Sequence, residues 1–325
     1  MPFGILGVGS ALPDRVLTNE DLEKMVETSD EWIRTRSGIS ERRIAGEGEA
    51  TSDFATQAAR NALEMAGMEP GDVDMIIVAT FSGDTHLPAT ACHVQAKLGI
   101  ERCGAFDVNA ACTGFIYGLA TARGMFTTGV IKNALVIGAD CTTKFVDFED
   151  RSTCVLFGDG AGAVVVGEVP EGRGVLSEFL SADGSMADRI IIPGGGSLEP
   201  VSEKVLEEHN QYIKMAGNDV FKFAVRIMSE SIKKAASRAG VKPADLDWII
   251  PHQANIRIID GALKRLKTPK ERCILNIDRY GNTSAASVPI ALDEAVRDGR
   301  VKEGDLLGFV AFGGGLTWGA NVLRF

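Results

Sequence analysis

The stretch NALEMAGMEPGDVDMIIVAT (61–80) returns later in the chain as KAASRAGVKPADLDWIIPHQ (234–253). The two stretches match at a constant displacement of 173 positions: Ala62 with Ala235, Ala66 with Ala239, Gly67 with Gly240, Pro70 with Pro243, Asp72 with Asp245, Asp74 with Asp247 and Ile76-Ile77 with Ile249-Ile250. Ordered matches at one displacement indicate an internal duplication.

A second set of matches continues the repeat toward the end of each half at a displacement of 170 positions. It pairs Glu101-Arg102-Cys103 with Glu271-Arg272-Cys273, Gly129 with Gly299, Lys132 with Lys302 and Gly138 with Gly308. We therefore expect two similar halves, at residues 1–170 and 171–325.

Each half reads as a helix, a short Gly/Pro/Asp connection and a buried strand, followed by a loop, a helix and a strand. Short apolar runs typical of strands covered on both faces are DMIIVAT (74–80), NALVIGA (133–139), AGAVVVG (161–167), LDWIIPH (246–252) and DLLGFVAF (305–312). Apolar residues at helical spacing predict a helix over 218–240, with Asn218 or Asp219 as its cap and Gly240 ending it. The pattern is that of an α/β protein.

Composition narrows the class of protein. The 325 residues are 45% hydrophobic and 24% charged, which is enough for two globular domains. A net charge of -10 and a pI near 5.1 disfavour nucleic-acid and anionic-membrane partners. We see no secretory leader and no apolar run that would span a membrane. The six cysteines show no C-x-x-C pair and no His-rich spacing, so we expect no metal site, no disulfides and a soluble protein of the reducing cytoplasm.

Three side chains are candidates for chemistry. Cys112 lies in VNAACTGFIYGLATA (108–122), at a predicted strand-to-helix junction, where helix N-terminal amides favour the nucleophilic thiolate. A small buried apolar role is the alternative for one cysteine taken alone. The displacement of 170 places Cys112 opposite Asn282, and His252 follows a strand of the second half, at an edge where ligands of α/β sheets gather. We expect Cys112, His252 and Asn282 to converge.

Several separated motifs resemble those of one family, and they appear in its order along the whole chain. They are TSDEWIRTRSGI (28–39), ACTGF around Cys112, FGDGAGA (157–163), PHQAN around His252, GNTSAAS around Asn282 and FGGGLTWG (312–319). The chain thus resembles the 3-oxoacyl-acyl-carrier-protein synthase III enzymes. The resemblance implies a thiolase-like α/β fold, with duplicated halves in a five-layered αβαβα architecture. Related elongating enzymes, thiolases and hydroxymethylglutaryl-CoA synthases carry His, Cys and Glu as the third residue, so Cys-His-Asn is similar to the initiating enzyme.

The resemblance also implies a mechanism and its substrates. An acyl-CoA primer is loaded on Cys112, with the backbone amides of Cys112 and Gly314 as the oxyanion hole. Decarboxylative condensation with malonyl-acyl carrier protein then gives a 3-oxoacyl product, with His252 and Asn282 donating hydrogen bonds to the enolate. Acyl-CoA and malonyl-carrier protein are substrates, and no cofactor or metal is implied.

Binding residues are implied at matched positions of the family. Those for CoA and pantetheine are Thr28, Trp32, Arg36, Arg151, Gly217, Asn218, Phe221, Ala254 and Asn255. Those for docking the acidic carrier protein are Lys222, Arg257, Lys264 and Arg265, of which the last two can equally be solvated surface charges. Those for the acyl pocket are Leu87, Leu156 and Phe157. In related homodimers the residue at position 87 reaches into the partner's pocket. Leucine there predicts a primer longer than acetyl or branched.

Two alternatives remain open, and two local motifs are rejected. A related condensing enzyme of secondary metabolism, such as a starter-unit or quinolone-type synthase, would retain the same three residues. A non-catalytic acyl-thioester-binding scaffold would use the same fold. Gly158 to Ala163 superficially matches a dinucleotide fingerprint, but a strand and not a helix is predicted after it. His86 and His93 read as packing or surface residues.

Overall fold

The computed structural model describes all 325 residues. Its strands are β1 (Phe3–Ala11), β2 (Val16–Thr18), β3 (Glu41–Arg43), β4 (Met75–Ala79), β5 (Gly104–Val108), β6 (Asn133–Asp140), β7 (Gly160–Glu168), β8 (Gly174–Ala182), β9 (Ile190–Ile191), β10 (Lys214–Met215), β11 (Trp248–Pro251), β12 (Leu306–Gly313) and β13 (Thr317–Arg324). Its α-helices are α1 (Asn19–Glu23), α2 (Asp30–Ser37), α3 (Thr51–Ala66), α4 (Thr90–Leu98), α5 (Gly114–Thr127), α6 (Arg151–Cys154), α7 (Glu203–Glu207), α8 (Gly217–Arg238), α9 (Ile256–Leu266), α10 (Ile277–Tyr280) and α11 (Ser287–Arg297). All five predicted strands are confirmed within one or two residues.

Two sheets organise the chain. The first sheet has the order β1-β7-β6-β4-β5, with β4 parallel to β5 and β6, and β7 antiparallel to β1 and β6. The second sheet has the order β11-β12-β13-β8, with β11 parallel to β12 and the other pairs antiparallel. The first sheet takes strands only from residues 3–168 and the second only from residues 174–324.

Helices cover both faces of both sheets. α3 and α4 pack on the outer face of the first sheet, and α8 and α9 pack on the outer face of the second. α5 and α11 lie between the sheets, where Phe115 and Phe309 belong to one continuous buried cluster. The result is five layers, α-β-α-β-α. The strands β4, β6 and β12 are almost entirely buried because helices cover both faces of the sheets.

Small residues set the layer spacing. α3 carries Ala55, Ala58, Ala59 and Ala62, all fully buried against the first sheet. A Cβ at Gly9 of β1 would lie 2.4 Å from the Ala58 carbonyl oxygen, so this strand approaches the helix backbone directly. Such close packing leaves no room for added volume.

The predicted helix over 218–240 is α8, displaced slightly toward the N-terminus. Ala216 is its N-cap residue, and no side chain caps the helix start. The prediction that Asn218 or Asp219 is the cap is therefore wrong, because both lie inside the first turn. Gly240 follows the helix with φ of +73°, a conformation that glycine adopts without strain.

The structure corrects the register of the repeat. β4 and β11 begin at Met75 and Trp248, and β6 and β12 begin at Asn133 and Leu306, a displacement of 173 in both cases. Short 3₁₀ turns precede the two central helices, Ala111–Thr113 before α5 and Ser284–Ala286 before α11, again 173 apart. The structural counterpart of Cys112 is therefore Ala285, and the predicted equivalence with Asn282 is wrong by three residues.

The cause of this error lies in the length of the central helices. α5 has 14 residues and α11 has 11. The displacement of 170 thus holds just beyond the helix ends, where Gly129 and Gly299 have left-handed φ values of 74° and 78°. It does not hold in β6 and β12, where Gly308 corresponds to Leu135 and the predicted match with Gly138 is wrong. Extending it back to the start of the helices misplaces every residue there by the three-residue difference.

Candidate active site

Cys112 occupies the turn between β5 and α5, pressed against the end of β12. A Cβ at Gly313 would lie 2.6 Å from the Cys112 backbone nitrogen, so the two backbones touch. Ala111 has φ of 46°, which is strained for a residue with a side chain. The local chain is therefore held in an unfavourable conformation that presents Cys112.

A cavity of about 750 Å³ opens beside the Cys112 side chain. Its wall is mainly apolar and includes Phe81, Phe145, Phe157, Ile190, Ile191, Ile192 and Ile213. Polar side chains on the wall are His86, Asn109, Gln211, Ser284 and Thr317. A cavity of this size and character suits an apolar ligand attached to, or approaching, the sulfur.

His252 follows β11 and is almost completely buried, at 1% exposure. Its Nδ1 atom lies 2.7 Å from the Ser287 hydroxyl oxygen. Its ring packs edge-on against Phe312, with the ring centroids 5.6 Å apart. Burial lowers the pKa of His252 to about 3, so the imidazole is neutral near pH 7.

Asn282 follows the short helix α10, and three backbone or side-chain contacts fix it. Its backbone N–H donates to the Leu156 carbonyl at 2.9 Å, and its carbonyl accepts from the Gly158 N–H at 3.0 Å. Its side-chain oxygen accepts from the Ser284 N–H at 2.9 Å. Because the oxygen is engaged, the amide nitrogen remains as a hydrogen-bond donor for a ligand.

Ser284 connects the Asn282 turn with the thiol. Its hydroxyl donates to the Cys112 sulfur at 3.5 Å, and its φ of 52° is strained in the same way as that of Ala111. Sequence reasoning missed this residue, although it lies inside the GNTSAAS motif.

Asp140 is a second residue missed from sequence, at the carboxyl end of β6. Its buried carboxylate accepts from the hydroxyls of Thr80 and Ser82 at 2.9 and 2.7 Å and from the Ala285 N–H at 3.2 Å. It therefore ties the end of β4 to the 284–286 turn. Its place after the apolar run NALVIGA was the available signal, because site residues collect at strand carboxyl ends.

The surroundings of Cys112 change the pKa of its thiol. Burial raises the pKa of the thiol to about 12, the Ser284 hydroxyl lowers the pKa and the Asp140 carboxylate raises it. Desolvation thus outweighs the donors at the helix start. Burial of the sulfur therefore acts against the thiolate that the helix start is expected to favour.

The residues matched to CoA positions fall into contacting pairs. The Arg151 guanidinium lies over the Trp32 ring at 5.2 Å from its centroid, and Trp32 is 36% exposed. The Asn255 side chain donates to the Arg36 carbonyl at 2.9 Å. Thr28 has a buried hydroxyl with no hydrogen-bond partner.

The remaining CoA candidates are close to the start of α8 and α9. Gly217, Asn218 and Phe221 lie in the first turns of α8, and Ala254 is buried just before α9. None of the nine CoA candidates lines the 750 Å³ cavity. The cavity and these residues are therefore separate regions of the structure.

The four cationic candidates are exposed on α8 and α9, which pack together. Arg257 lies over the Phe221 ring at 5.4 Å, near Lys222. Lys264 and Arg265 lie at the other end of α9, roughly 12 Å further along the helix at 1.5 Å per residue. Arg265 donates to the Ser229 hydroxyl at 3.2 Å.

The acyl-pocket candidates are placed differently from one another. Phe157 lines the cavity. Leu156 does not line it, and its carbonyl instead holds Asn282. Leu87 is 86% exposed and does not line the cavity of its own chain, whereas the neighbouring His86 does.

One group of possible metal ligands escaped sequence reasoning, because its members are far apart in the chain. Single ligand atoms of Asp147, Glu149 and His209 lie within 4.8 Å of one another. Asp147 and His209 are hydrogen-bonded at 2.7 Å, which fastens the segment after α7 to the start of α6. The prediction that a strand follows the glycine-rich motif at 158–163 is confirmed, because β7 begins at Gly160. The motif is therefore not a dinucleotide fingerprint.

Comparison with known proteins decides the family. Family models for 3-oxoacyl-[acyl-carrier-protein] synthase III and for its C-terminal region match residues 106–184 and 236–325. A beta-ketoacyl-[acyl-carrier-protein] synthase III of Caldanaerobacter subterraneus subsp. tengcongensis is 54% identical over 322 residues, covering 99% of this chain and 97% of that protein. The chain belongs to the 3-oxoacyl-[acyl-carrier-protein] synthase III family.

Other members of the family are similar to this chain over its full length. The Symbiobacterium thermophilum protein of the same name is 53% identical over 324 residues, covering all of this chain and 98% of that one. The crystal structure of the synthase III from Aquifex aeolicus superposes with a TM-score of 0.92 at 49% identity, covering 99% of this chain and 100% of that one. The family, the thiolase-like fold class and the enzyme class expected from sequence are confirmed.

Proposed function

We propose that this chain is an initiating condensing enzyme of fatty-acid synthesis. It loads an acyl group from acyl-CoA on Cys112 and condenses it with malonyl-acyl carrier protein, releasing CoA and carbon dioxide. The observation that carries the proposal is Cys112 on the wall of an apolar cavity, in a chain of this family. The neutral His252 and the free amide donor of Asn282 support the second step.

In the first step the Cys112 sulfur attacks the thioester carbonyl of acyl-CoA. The carbon–sulfur bond to CoA breaks, and the thiol proton leaves with the CoA sulfur. The backbone amides of Cys112 and Gly314 donate to the oxyanion, a contribution typically worth on the order of 100-fold in rate. Contact of the Gly313 backbone with Cys112, and of Gly314 with the preceding Ala111, supports this assignment.

In the second step the malonyl carboxylate leaves as carbon dioxide, and its electron pair forms a thioester enolate. His252 Nε2 and Asn282 Nδ2 donate hydrogen bonds to the enolate oxygen, and the enolate carbon attacks the acyl group on Cys112. The cysteine sulfur departs and regains a proton from solvent. A neutral imidazole can fill this role, because its one N–H donates to the enolate oxygen without a full positive charge in the buried site.

Substrate binding is assigned to the paired residues. Trp32 and Arg151 form a stack that an adenine ring enters by separating them, combining apolar contact with a planar cation. Arg36 engages phosphate or the other face of the ring. The pantetheine tunnel is lined by Thr28, Gly217, Asn218, Phe221, Ala254 and Asn255. Arg257 and Lys222, with Lys264 and Arg265 further along α9, offer a local cationic surface to the acidic carrier protein although the chain carries a net charge of -10.

We place the protein as a homodimer in the cytoplasm, acting without a cofactor. β5 is an edge strand whose second side is unpaired, and Leu87 is exposed in the loop between β4 and α4. A second copy would cover both, and Leu87 would enter the partner's cavity beside Phe157. The chain has six cysteines without a C-x-x-C pair, which supports a reducing compartment. No helix of the structure has the length and apolar character needed to cross a membrane.

A condensation assay tests the proposal against its alternatives. The purified chain is incubated with acetyl-CoA or a longer primer and with either malonyl-carrier protein or malonyl-CoA. We expect a 3-oxoacyl-carrier product and strong preference for the carrier-bound extender. Preference for free malonyl-CoA would indicate the starter-unit or quinolone type, and absence of product with either extender would favour the binding scaffold.

Arg257→Ala supplies the matched test of carrier docking. It is expected to raise KM for malonyl-carrier protein while leaving cysteine loading from acyl-CoA unchanged. Lys302→Ala removes the same charge from the loop between α11 and β12, outside the docking helices, and serves as the control. Equal effects of the two variants would remove α9 as the docking surface.

A further inference from the structure

The mechanism requires a proton on His252 Nε2, and the structure contains a feature that controls where this proton resides. A neutral imidazole carries one N–H, on Nδ1 or on Nε2, and the contact made by one nitrogen determines the state of the other. The single hydrogen-bond contact of the His252 ring is that of Nδ1 with the Ser287 hydroxyl, at 2.7 Å.

Ser287 is buried at 1% exposure, and His252 is the only hydrogen-bond partner of its hydroxyl. A buried hydroxyl donates wherever an acceptor is available, because an unused donor in the interior costs free energy. Nδ1 is the acceptor that the structure offers. If Nδ1 instead carried the proton, the Ser287 hydroxyl hydrogen would have no acceptor.

Other buried hydroxyls on helices donate to a backbone carbonyl one turn earlier, and the Ser287 hydroxyl does not. Ser37, Thr56 and Ser231 each donate to the carbonyl four residues earlier, at 2.6, 2.6 and 2.7 Å. Ser287 is the first residue of α11, and the carbonyl four residues before it, that of Thr283, accepts from the Ala286 N–H at 3.0 Å within the 3₁₀ turn. The turn therefore frees this hydroxyl to face His252.

We propose that Ser287 is a positioning residue that donates its hydroxyl hydrogen to His252 Nδ1 and thereby holds the proton of the neutral imidazole on Nε2. The tautomer assignment stands on geometry alone, and its consequence for catalysis rests on the proposed function. Nε2 then acts as a hydrogen-bond donor to the enolate in the decarboxylation step. In this tautomer Nε2 has no lone pair for the Cys112 proton, so His252 does not act as the base in cysteine loading.

The surroundings of the ring support a fixed tautomer. Phe312 contacts it edge-on, and the helix-initial position of Ser287 fixes the distance between hydroxyl and ring. Burial also lowers the pKa of His252, which keeps the doubly protonated form from appearing near pH 7.

Nitrogen NMR tests the tautomer directly. The chain has four histidines, so ¹⁵N-histidine labelling gives a small set of ring signals, and the His252 signals are those missing in His252→Asn. The wild-type protein is expected to show a protonated Nε2 and an unprotonated Nδ1. Ser287→Ala is expected to show both tautomers. A protonated Nδ1 in the wild type, or an unchanged single tautomer in Ser287→Ala, would overturn the proposal.

Separate rates for the two steps test the catalytic consequence. Ser287→Ala is expected to slow carbon dioxide release from malonyl-carrier protein on pre-acylated enzyme about 10-fold, the loss typical of one hydrogen bond. Acyl loading on Cys112 is expected to stay within about threefold of wild type, a range that corresponds to less than half that energy. Ser287→Thr is expected to restore the decarboxylation rate, and Ser231→Ala, which removes a buried helical hydroxyl elsewhere, is expected to leave both rates unchanged.

The outcomes separate this proposal from the proposed function. Equal slowing of both steps in Ser287→Ala, or a decarboxylation rate equal to wild type, would contradict the positioning role. If the wild type loads no acyl group and forms no product, the proposed function fails, while the NMR result still decides the tautomer. Urea unfolding of each variant identifies any loss caused by incomplete folding, and the Ser287→Thr protein then carries the test.

Discussion

The buried neutral His252 makes the unfolding free energy depend on pH, and the substitution His252→Asn removes this contribution. Burial lowers the pKa of His252 from 6.5 to about 3. Between these pH values the imidazole is protonated in the unfolded chain but not in the folded chain. Stability from this group is complete above pH 6.5 and is lost as the pH falls toward 3. At about 1.4 kcal/mol per unit, lowering the pH from 6.5 to about 5 removes about 2 kcal/mol.

His252→Asn removes the titrating group and retains a polar side chain. We would measure urea unfolding of both proteins at one fixed protein concentration, at about pH 7.5 and about pH 5, because a dimer makes apparent stability concentration-dependent. The unfolding free energy of wild type minus that of the variant is expected to fall by about 2 kcal/mol between these pH values, while contributions of all carboxylates cancel. Equal m-values would show that both proteins unfold from similar states. A difference that stays constant with pH would refute the buried, neutral imidazole.

Three further predictions concern the surroundings of the site. Gly313→Ala places a methyl group against the Cys112 backbone and is expected to lower kcat on the order of 100-fold, whereas Gly124→Ala, a helical glycine with open space around it, is expected to leave the rate unchanged; equal rates in both would show that the 313–314 backbone does not hold the oxyanion. Asp140→Asn leaves hydrogen-bond donors facing an amide and is expected to lower the unfolding free energy by about 1–3 kcal/mol, measured by urea unfolding, with an unchanged value arguing against its role in tying the turn. Trp32→Ala is expected to raise KM for acyl-CoA about 10-fold with little change in kcat, as for loss of about 1–2 kcal/mol of stacking; an unchanged KM would place the adenine elsewhere.

The fold was predictable to the level of its repeat. The matching stretches at 61–80 and 234–253, with short apolar runs after them, identify two α/β halves. The register at the central helices was not predictable, because a three-residue length difference inside α5 and α11 leaves no mark in a sequence comparison. In the structure, the turns with left-handed Ala111 and Ser284 show that the displacement of 173 applies at the start of both helices.

Site residues whose side-chain type suits the chemistry were predictable from the sequence. Residues that act through their contacts in the folded chain were not. Cys112, His252 and Asn282 stand in recognisable motifs, and their catalytic roles remain predictions for experiment. The contacts of Ser284 and Ser287 depend on which neighbour the folded turn presents to each hydroxyl. The effect of burial on the thiol pKa was not predictable, because desolvation depends on tertiary packing, whereas the helix start is visible in the sequence.

The central claim is that Cys112 carries the acyl group between the two substrates. The direct measurement is the intact mass of the protein after incubation with acetyl-CoA and with longer or branched acyl-CoA primers, followed by mapping of the peptide that contains Cys112. We predict one acyl mass increase on that peptide, absent in Cys112→Ser, retained in Cys154→Ser and discharged by malonyl-carrier protein. No adduct with any primer, or an adduct on a different cysteine, would contradict the account.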